Sequence, residues 1–366
     1  MKLISSLGTL VSVLLLGAFC SSAEEDPASV ASAAAIEPPK SDSPNRFSLA
    51  WRTTFNINLS FRNVGGFGSA TDPGPAVGGN YNRAYDDGFN KVDITGNNHG
   101  AGYANTTWYW GYDSESQILP SMSNPQSVVM HSSSASGTST SHDDTEGPGV
   151  EFGYSRELLR KEGWRAGLEG IFGYTDLTVE DNAALSTSVS QIADSFAVPY
   201  SSSGQFLPPP GRTATAQGPA AVISSSPIRT TSTTLGQTSG SRNFRADLFG
   251  FRFGPYVELP IGKKGAFDLS GGFALMYVES DFRFNESTAV SGFGSFGNVG
   301  WGSHNGWLAG GYVAGGFSYA INQNWGAFAG AQFQDVGRYT HEEGGHQAVL
   351  DLTRAVFVTL GFSYSF

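Results

Sequence analysis

The feature that most limits what this chain can fold into is a long run of strict alternation. Leu49, Trp51, Thr53, Phe55, Ile57, Leu59 and Phe61 are apolar or Thr, and between them stand Ala50, Arg52, Thr54, Asn56, Asn58 and Ser60. A period of two describes a β-strand with one greasy and one polar face. The run is longer than the about five or six residues of an ordinary strand. It suits a strand crossing a bilayer at a tilt, which takes about 9–11. The pattern returns from Trp164 to Tyr174, Phe249 to Leu259, Phe267 to Tyr277, Trp307 to Ile321, Trp325 to Phe333 and Val356 to Phe366.

The opposite parity carries small and polar residues. In the last segment it reads Ala355, Phe357, Thr359, Gly361, Ser363, Ser365. Apolar outside and polar inside inverts the arrangement of a soluble protein and marks a transmembrane barrel. Trp51, Trp164, Trp307 and Trp325 open such segments, while Tyr174, Tyr277, Tyr319 and Tyr364 lie near their ends. Two aromatic girdles at the membrane–water interfaces would place them so. A soluble lipocalin-like or lectin-like barrel would turn its aromatics inward and has no use for such belts.

Composition narrows the class further. Charged residues make up 14% of the chain, against about a quarter in a soluble domain. The formal net charge of −11, with Lys+Arg 21, lacks the basic footprint that nucleic acid requires. Met1-Lys2, the apolar run Leu10 to Phe19 and Ser21-Ser22-Ala23 read as a cleaved secretory signal over 1–23. A lipid-bearing Cys20 is the rival reading, but Phe19 sits where a lipobox wants a small residue. Cys20 is the only cysteine, so cleavage after Ala23 leaves no disulfide and no thiolate site. Residues 24–45, rich in Ala, Ser and Pro, read as a disordered periplasmic spacer. The barrel is expected over 46–366.

Turn lengths alternate. Short turns at 160–163, 262–265 and 322–324 contrast with long segments at 63–104, 178–242 and 285–305. Short turns face the periplasm and long loops the outside. The expectation is an all-β, antiparallel up-and-down barrel of about ten strands, including strands from Asn105 and Gln126. Twelve would follow if part of the 178–242 insert joined the ring.

The ending Val358-Thr359-Leu360-Gly361-Phe362-Ser363-Tyr364-Ser365-Phe366 resembles the C-terminal signal of bacterial outer-membrane proteins. That resemblance implies that Leu360, Phe362, Tyr364 and Phe366 are read by the barrel-assembly machinery. Tyr85-Asp86-Asp87-Gly88-Phe89, Asp93, Gly96-Asn97 and Trp108-Tyr109-Trp110-Gly111-Tyr112 resemble a set of uncharacterised outer-membrane barrel proteins. This second resemblance runs over most of the chain after Asn45. It implies a fold, outer-membrane lipid as the surroundings and a Gram-negative envelope, but no activity and no cofactor.

Candidate chemistry is sparse. Asp86, Asp87 and Asp93, with Asn97, offer oxygen ligands around a Gly turn that Ca²⁺ accepts. Their spacing misses the EF-hand pattern, and the plainer reading is a loop of Asx-turns. His341-Glu342-Glu343-Gly344-Gly345-His346 groups zinc-type ligands, but the Gly-Gly between them reads as a hairpin turn. Asp86, Asp87, His99, Asp143 and Asp144 can be cast as a rim-loop hydrolase, though nothing in their spacing requires it. Arg52, Arg62, Arg165, Glu169, Arg252 and Glu258 fall on lumen parity. In a narrow barrel such mixed charges can pair and plug the interior or line a water path and set its selectivity, and pairing is the more economical reading. Three functions are thus in view: a non-enzymatic structural or surface-presenting barrel, a narrow pore for small solutes, and a rim-loop hydrolase. The first is favoured, because open porins use about 16–18 strands.

Overall fold

The computed structural model describes residues 43–69, 71–78, 81–92, 105–120, 127–198, 207–211, 221–291 and 293–366. The signal and nearly all of the spacer lie outside the described residues, as do Asp93, Asn97 and His99.

Eight antiparallel strands close on themselves. They are β1 (Asn45–Phe55), β2 (Pro148–Lys161), β3 (Trp164–Asp181), β4 (Ile228–Ile261), β5 (Gly265–Val290), β6 (Gly294–Ala320), β7 (Trp325–Asp335) and β8 (Ala355–Ser365). Around the ring the order is β3-β2-β1-β8-β7-β6-β5-β4, and β4 pairs back to β3 from Arg165↔Glu258 to Asp181↔Arg242. Closure leaves no free edge within the belt, the condition lipid imposes on a strand protein.

The ring has eight strands where the sequence suggested ten. β1 pairs directly with β2 on one side and β8 on the other, so the segments at Asn105 and Gln126 have no place in it. Tyr109–Tyr112 pairs instead with Gly88–Lys91, and Ser127–Ala135 with Leu185–Ala197, beyond the ring. Trp110 and Tyr112, expected on a ring strand, are fully buried in a soluble-type core with Met130, Phe196 and Ile223. Much of the 178–242 insert is strand as well. Leu185–Ala197 pairs with the outer part of β4 and lengthens the wall without widening the ring.

The outer face of the ring is apolar. Phe47, Leu49, Phe152, Leu168, Phe253, Leu269, Phe273, Val313, Phe317, Leu360 and Phe362 are all exposed. On one rim Tyr174, Phe249, Tyr277 and Trp307 form a continuous aromatic row, with successive ring centroids 5.3, 6.1 and 4.9 Å apart. On the other, Tyr154, Phe47, Phe366, Tyr364 and Trp325 form a second row, at 5.3, 5.2, 6.3 and 5.1 Å. From Phe267 to Tyr277 is about ten residue rises of roughly 3.3 Å, and a strand tilt of about 40° makes this about 25 Å tall, the height of a membrane belt. Lys161 over Trp164 and Lys264 over Tyr319 mark the rim with the short turns. That rim is the inner end, and the other is the outer end.

β3, β4, β5 and β6 continue past the outer girdle as a wall. A second sheet packs inside it, in the order 338–343, 346–351, 58–64, 138–142. The handover happens at Asn56. Outward parity holds through Phe55, then Asn56 takes φ 57°, a conformation Asn tolerates better than most residues. Its Nδ2 donates to Arg354 O at 2.7 Å. The strand that follows faces the other way, so Ile57, Leu59 and Phe61 are buried rather than facing lipid. The expected single strand from Leu49 to Phe61 is two strands on two sheets.

Candidate functional site

The ring interior has two storeys. In the inner one, the alternation that puts apolar residues on lipid turns charged residues inward. Arg46 Nη1 donates to Glu258 Oε2 at 2.9 Å, Arg165 lies 3.5 Å from the other Glu258 oxygen, and Arg46 reaches Asp268 at 3.8 Å. Higher up, Arg252 Nη2 donates to Glu151 Oε1 at 2.7 Å, and Arg52 lies 3.7 Å from Glu151 Oε2. Tyr312 OH donates to Glu169 at 3.1 Å, with the Arg252 guanidinium over the Tyr312 ring. Four Arg (46, 52, 165, 252) face four acids (Glu151, Glu169, Glu258, Asp268). The balance leaves no net charge with which to select ions by sign. A cavity of about 110 Å³ remains between them, bordered by Arg46, Glu151, Glu169, Arg252, Asp268 and Ser270.

Arg52 forms the ceiling of this storey. Its guanidinium lies 3.9 Å over the Phe357 ring and crosses Gly173, where any Cβ would run into Nη1. Only glycine lets the side chain lie flat there. Above it the inward residues turn apolar. Leu177, Phe244, Met276, Phe282, Tyr312, Val336, Leu350 and Phe357 join Ile57, Leu59 and Phe61 in one buried cluster across the ring. The polar-lumen rule thus holds only for the inner storey.

Five of the six charges expected on lumen parity lie in this inner network: Arg52, Arg165, Glu169, Arg252 and Glu258. Arg62 does not. It follows the reversal at Asn56, pairs in register with Gln347 and is exposed on the outer-end sheet. Arg46 and Asp268 were missed, though the parity that found Arg52 reaches both.

The outer end holds a second buried charge network that the sequence did not signal. Arg242 Nε donates to Asp181 Oδ2 at 3.0 Å, Nη1 to Glu286 Oε1 at 3.2 Å and Nη2 to Ala183 O at 2.8 Å. The Gly65 N–H donates to Glu286 at 2.7 Å, and His346 Nε2 lies 3.2 Å from the same carboxylate. His142 Nε2 stands 3.7 Å from Asp181. Burial pushes the Asp181 carboxyl up, but the Ala183 N–H, Arg242 and His142 outweigh it and hold it below its ordinary value. Burial likewise raises Glu286, and His346, the Gly65 N–H and Arg242 bring it below. These residues tie wall to inner sheet: Asp181, Arg242 and Glu286 on one, His142 and His346 on the other.

The remaining candidates are structural. Asp86 accepts from the Ser133 N–H at 2.7 Å and the Thr71 hydroxyl at 3.2 Å. Asp87 accepts from the His131 N–H at 2.7 Å and pairs with its Nδ1 at 2.6 Å. Both carboxylates take part in fixing this backbone; Asp93, the third residue of the Ca²⁺ reading, lies outside the described residues. Among the described residues no cluster of three His, Cys, Asp or Glu side chains suits a metal ion. Gly344 and Gly345, at φ 54° and 80°, make the two-residue hairpin turn. The flanking histidines go to separate partners, His341 to Ser280 Oγ at 2.8 Å and His346 to Glu286. Burial lowers the His341 imidazole and nearby His304 lowers it further. Asp143 and Asp144 are exposed turn residues. Asp87–His131 is an acid–imidazole pair of the kind hydrolases use, but no described hydroxyl bonds the other ring nitrogen of His131.

The fold and its belt define a transmembrane β-barrel of the outer-membrane class. No family model matches the chain, and no curated protein matches it. Similar solved structures include Ail, the attachment invasion locus protein of Yersinia pestis, at 10% identity over 88% of this chain and 99% of that one, with a TM-score of 0.27. The outer membrane protease OmpT from Escherichia coli is similar at 10% identity over 89% and 97%, with a TM-score of 0.33. The Pseudomonas putida toluene transporter TodX is similar at 8% identity over 89% and 90%, with a TM-score of 0.17. The barrel reading rests on the closed ring and its belt.

Proposed function

We propose that this chain is a non-enzymatic outer-membrane barrel whose lumen is shut and whose function lies in the folded structure it presents outside. One observation carries the reading: the apolar cluster that joins ring and inner sheet lies across the interior. Water and ions cross such a layer only if it comes apart. Beneath it the paired charges fill most of what remains. In this reading lipid surrounds the belt, and the assembly machinery reads Leu360, Phe362, Tyr364 and Phe366.

A narrow solute pore would require the outer storey to swing away from the ring, which the Arg242 network opposes. A rim-loop hydrolase could use the Asp87–His131 pair, but no nucleophile among the described residues is bonded to it. The deciding measurement is conductance of the refolded mature chain in a planar bilayer. Silence from a demonstrably folded barrel is expected; stable, reproducible current steps would overturn the closed-lumen reading.

A further inference from the structure

Past the belt, β6 runs with one side bare. β5 pairs with it from Gly294 to Tyr319, but β7 pairs only from Gly311 to Ala320. Along residues 294–310 no described segment hydrogen-bonds to the backbone on the far side. Natural edge strands are kept short, or are guarded by Lys, Pro, inward charges or a bulge. This one is long and in unbroken register with β5, and residues 294–308 contain no Lys, Arg, Asp, Glu or Pro. Val299 and Trp301, each 70% exposed, stand on its outer face. On its inner face Glu343 fills the place a side chain on Gly302 would take, and no ion pair among the described residues engages it. The strand 338–343 that carries Glu343 is itself the last of the inner sheet, so both layers end on this flank.

We propose that this edge of β6 receives an added β-strand from an extended segment of another polypeptide outside the membrane. The segment would carry apolar residues at alternate positions beside Val299 and Trp301, and Lys or Arg on the opposite face over Glu343. Strand addition of this kind draws affinity from main-chain hydrogen bonds and specificity from alternate side chains. A second copy in the same membrane does not fit. A two-fold axis along the membrane normal makes the two β6 strands run in the same direction with opposite tilts, crossing at roughly 80°. Strands crossing so steeply share only a residue or two. The proposal rests on the surface-presenting reading and names the partner's chemistry.

The test uses the refolded full chain in detergent and capped peptides of four Val and four Lys. In one peptide the residues alternate; in the other they stand in two blocks. Amide exchange is followed at 294–308, with β4 as internal reference. The alternating peptide should slow exchange there saturably and the blocked peptide should not. Trp301→Lys should weaken binding roughly fivefold, the worth of one good cross-strand pair. Glu343→Gln should remove the preference for Val-Lys over an alternating Val-Thr peptide. Unchanged exchange in the unaltered protein, or equal slowing by the blocked peptide, overturns the proposal. So does a peptide-free dimer in which 294–308 is already protected, because a second copy then holds the edge. A silent peptide leaves the closed lumen untouched, and bilayer current would sink the closed lumen without touching the edge.

Discussion

Removing the Arg242 guanidinium should loosen the outer storey while leaving the barrel in the membrane intact. Arg242 is 1% exposed, and it stands between Asp181 and Glu286, whose side chains are 3% and 1% exposed. In Arg242→Met the arginine's volume is largely kept, but two buried carboxylates lose their shared cation. Breaking a buried pair by deleting one partner costs about 3–5 kcal/mol. At about 1.4 kcal/mol per decade, amide protection in the outer-end core should fall by roughly two to four decades. The amides to follow are those of Phe61, Phe244 and Phe282, whose side chains meet beside the network. Those of the belt, such as Leu269 and Phe273, should hold.

The pH dependence separates this account from simple loss of packing. In the unaltered protein both carboxyls sit below their ordinary values. Their contribution is therefore complete above about pH 5 and is lost as pH falls through the lowered folded values. In Arg242→Met burial is opposed only by the Ala183 and Gly65 N–H groups and the two histidines, so both carboxyls rise from their lowered values. The folded variant then binds protons more tightly than the unaltered protein does, so the defect should be largest at neutral pH and shrink on acidification. Combining Arg242→Met with Asp181→Asn and Glu286→Gln should recover most of the loss, since no charge remains to be stranded. Protection within about threefold of the unaltered protein at pH 7, a shift of under roughly 0.7 kcal/mol, would refute the reasoning. A defect that deepens in acid would refute it as well.

Three further outcomes follow from the belt and the interior. Phe273→Arg, on the mid-belt outer face, should destabilise the folded barrel by about 2–4 kcal/mol in urea titrations in lipid, whereas Val299→Arg, beyond the girdle, should cost under about 1. Equal costs would misplace the membrane. Gly173→Ala must displace the Arg52 guanidinium from over Phe357 and should cost about 1–3 kcal/mol by the same assay; an unchanged midpoint would mean Arg52 has somewhere else to go. Deleting Phe366 removes a ring stacked on Phe47 and an N–H that donates to Asn45 O at 3.0 Å. The heat-modifiable folded band recovered from cell membranes should drop, and an undiminished band would count against its role in assembly.

What the sequence disclosed follows from which solvent each residue meets. On the inner part of the belt outward side chains meet lipid and inward ones meet a polar chamber, so two environments alternate at the period of the strand. Phe267, Leu269, Phe273 and Tyr277 against Asp268, Ser270 and Ala274 is therefore plain on paper. Beyond the girdle the same strands face water outside and an apolar core inside. On β5 the outward residues become Glu279, Asp281 and Arg283, and the inward ones Val278, Phe282 and Phe284. The alternation continues but its meaning reverses, and the sequence does not label the point of reversal. On β1 the reversal comes from one Asn at positive φ, and it carried Arg62 out of the lumen. Trp108 to Tyr112 read as part of a ring strand for the same reason: an aromatic on a membrane strand and one in a small core are the same letter. The Arg242 network was invisible for a different cause. Its members lie on three wall strands and two inner ones, up to 204 positions apart from His142 to His346, and only closure of the sandwich brings them together. A second sheet needs a partner wall to cover, and here the wall is the part of the barrel that lipid does not reach. The same ring strands thus supply both the membrane anchor and half of the outer domain. That shared use is why the lumen closes towards the outer end of the membrane belt, and why the length of β6 left unpaired by described residues lies mostly outside it.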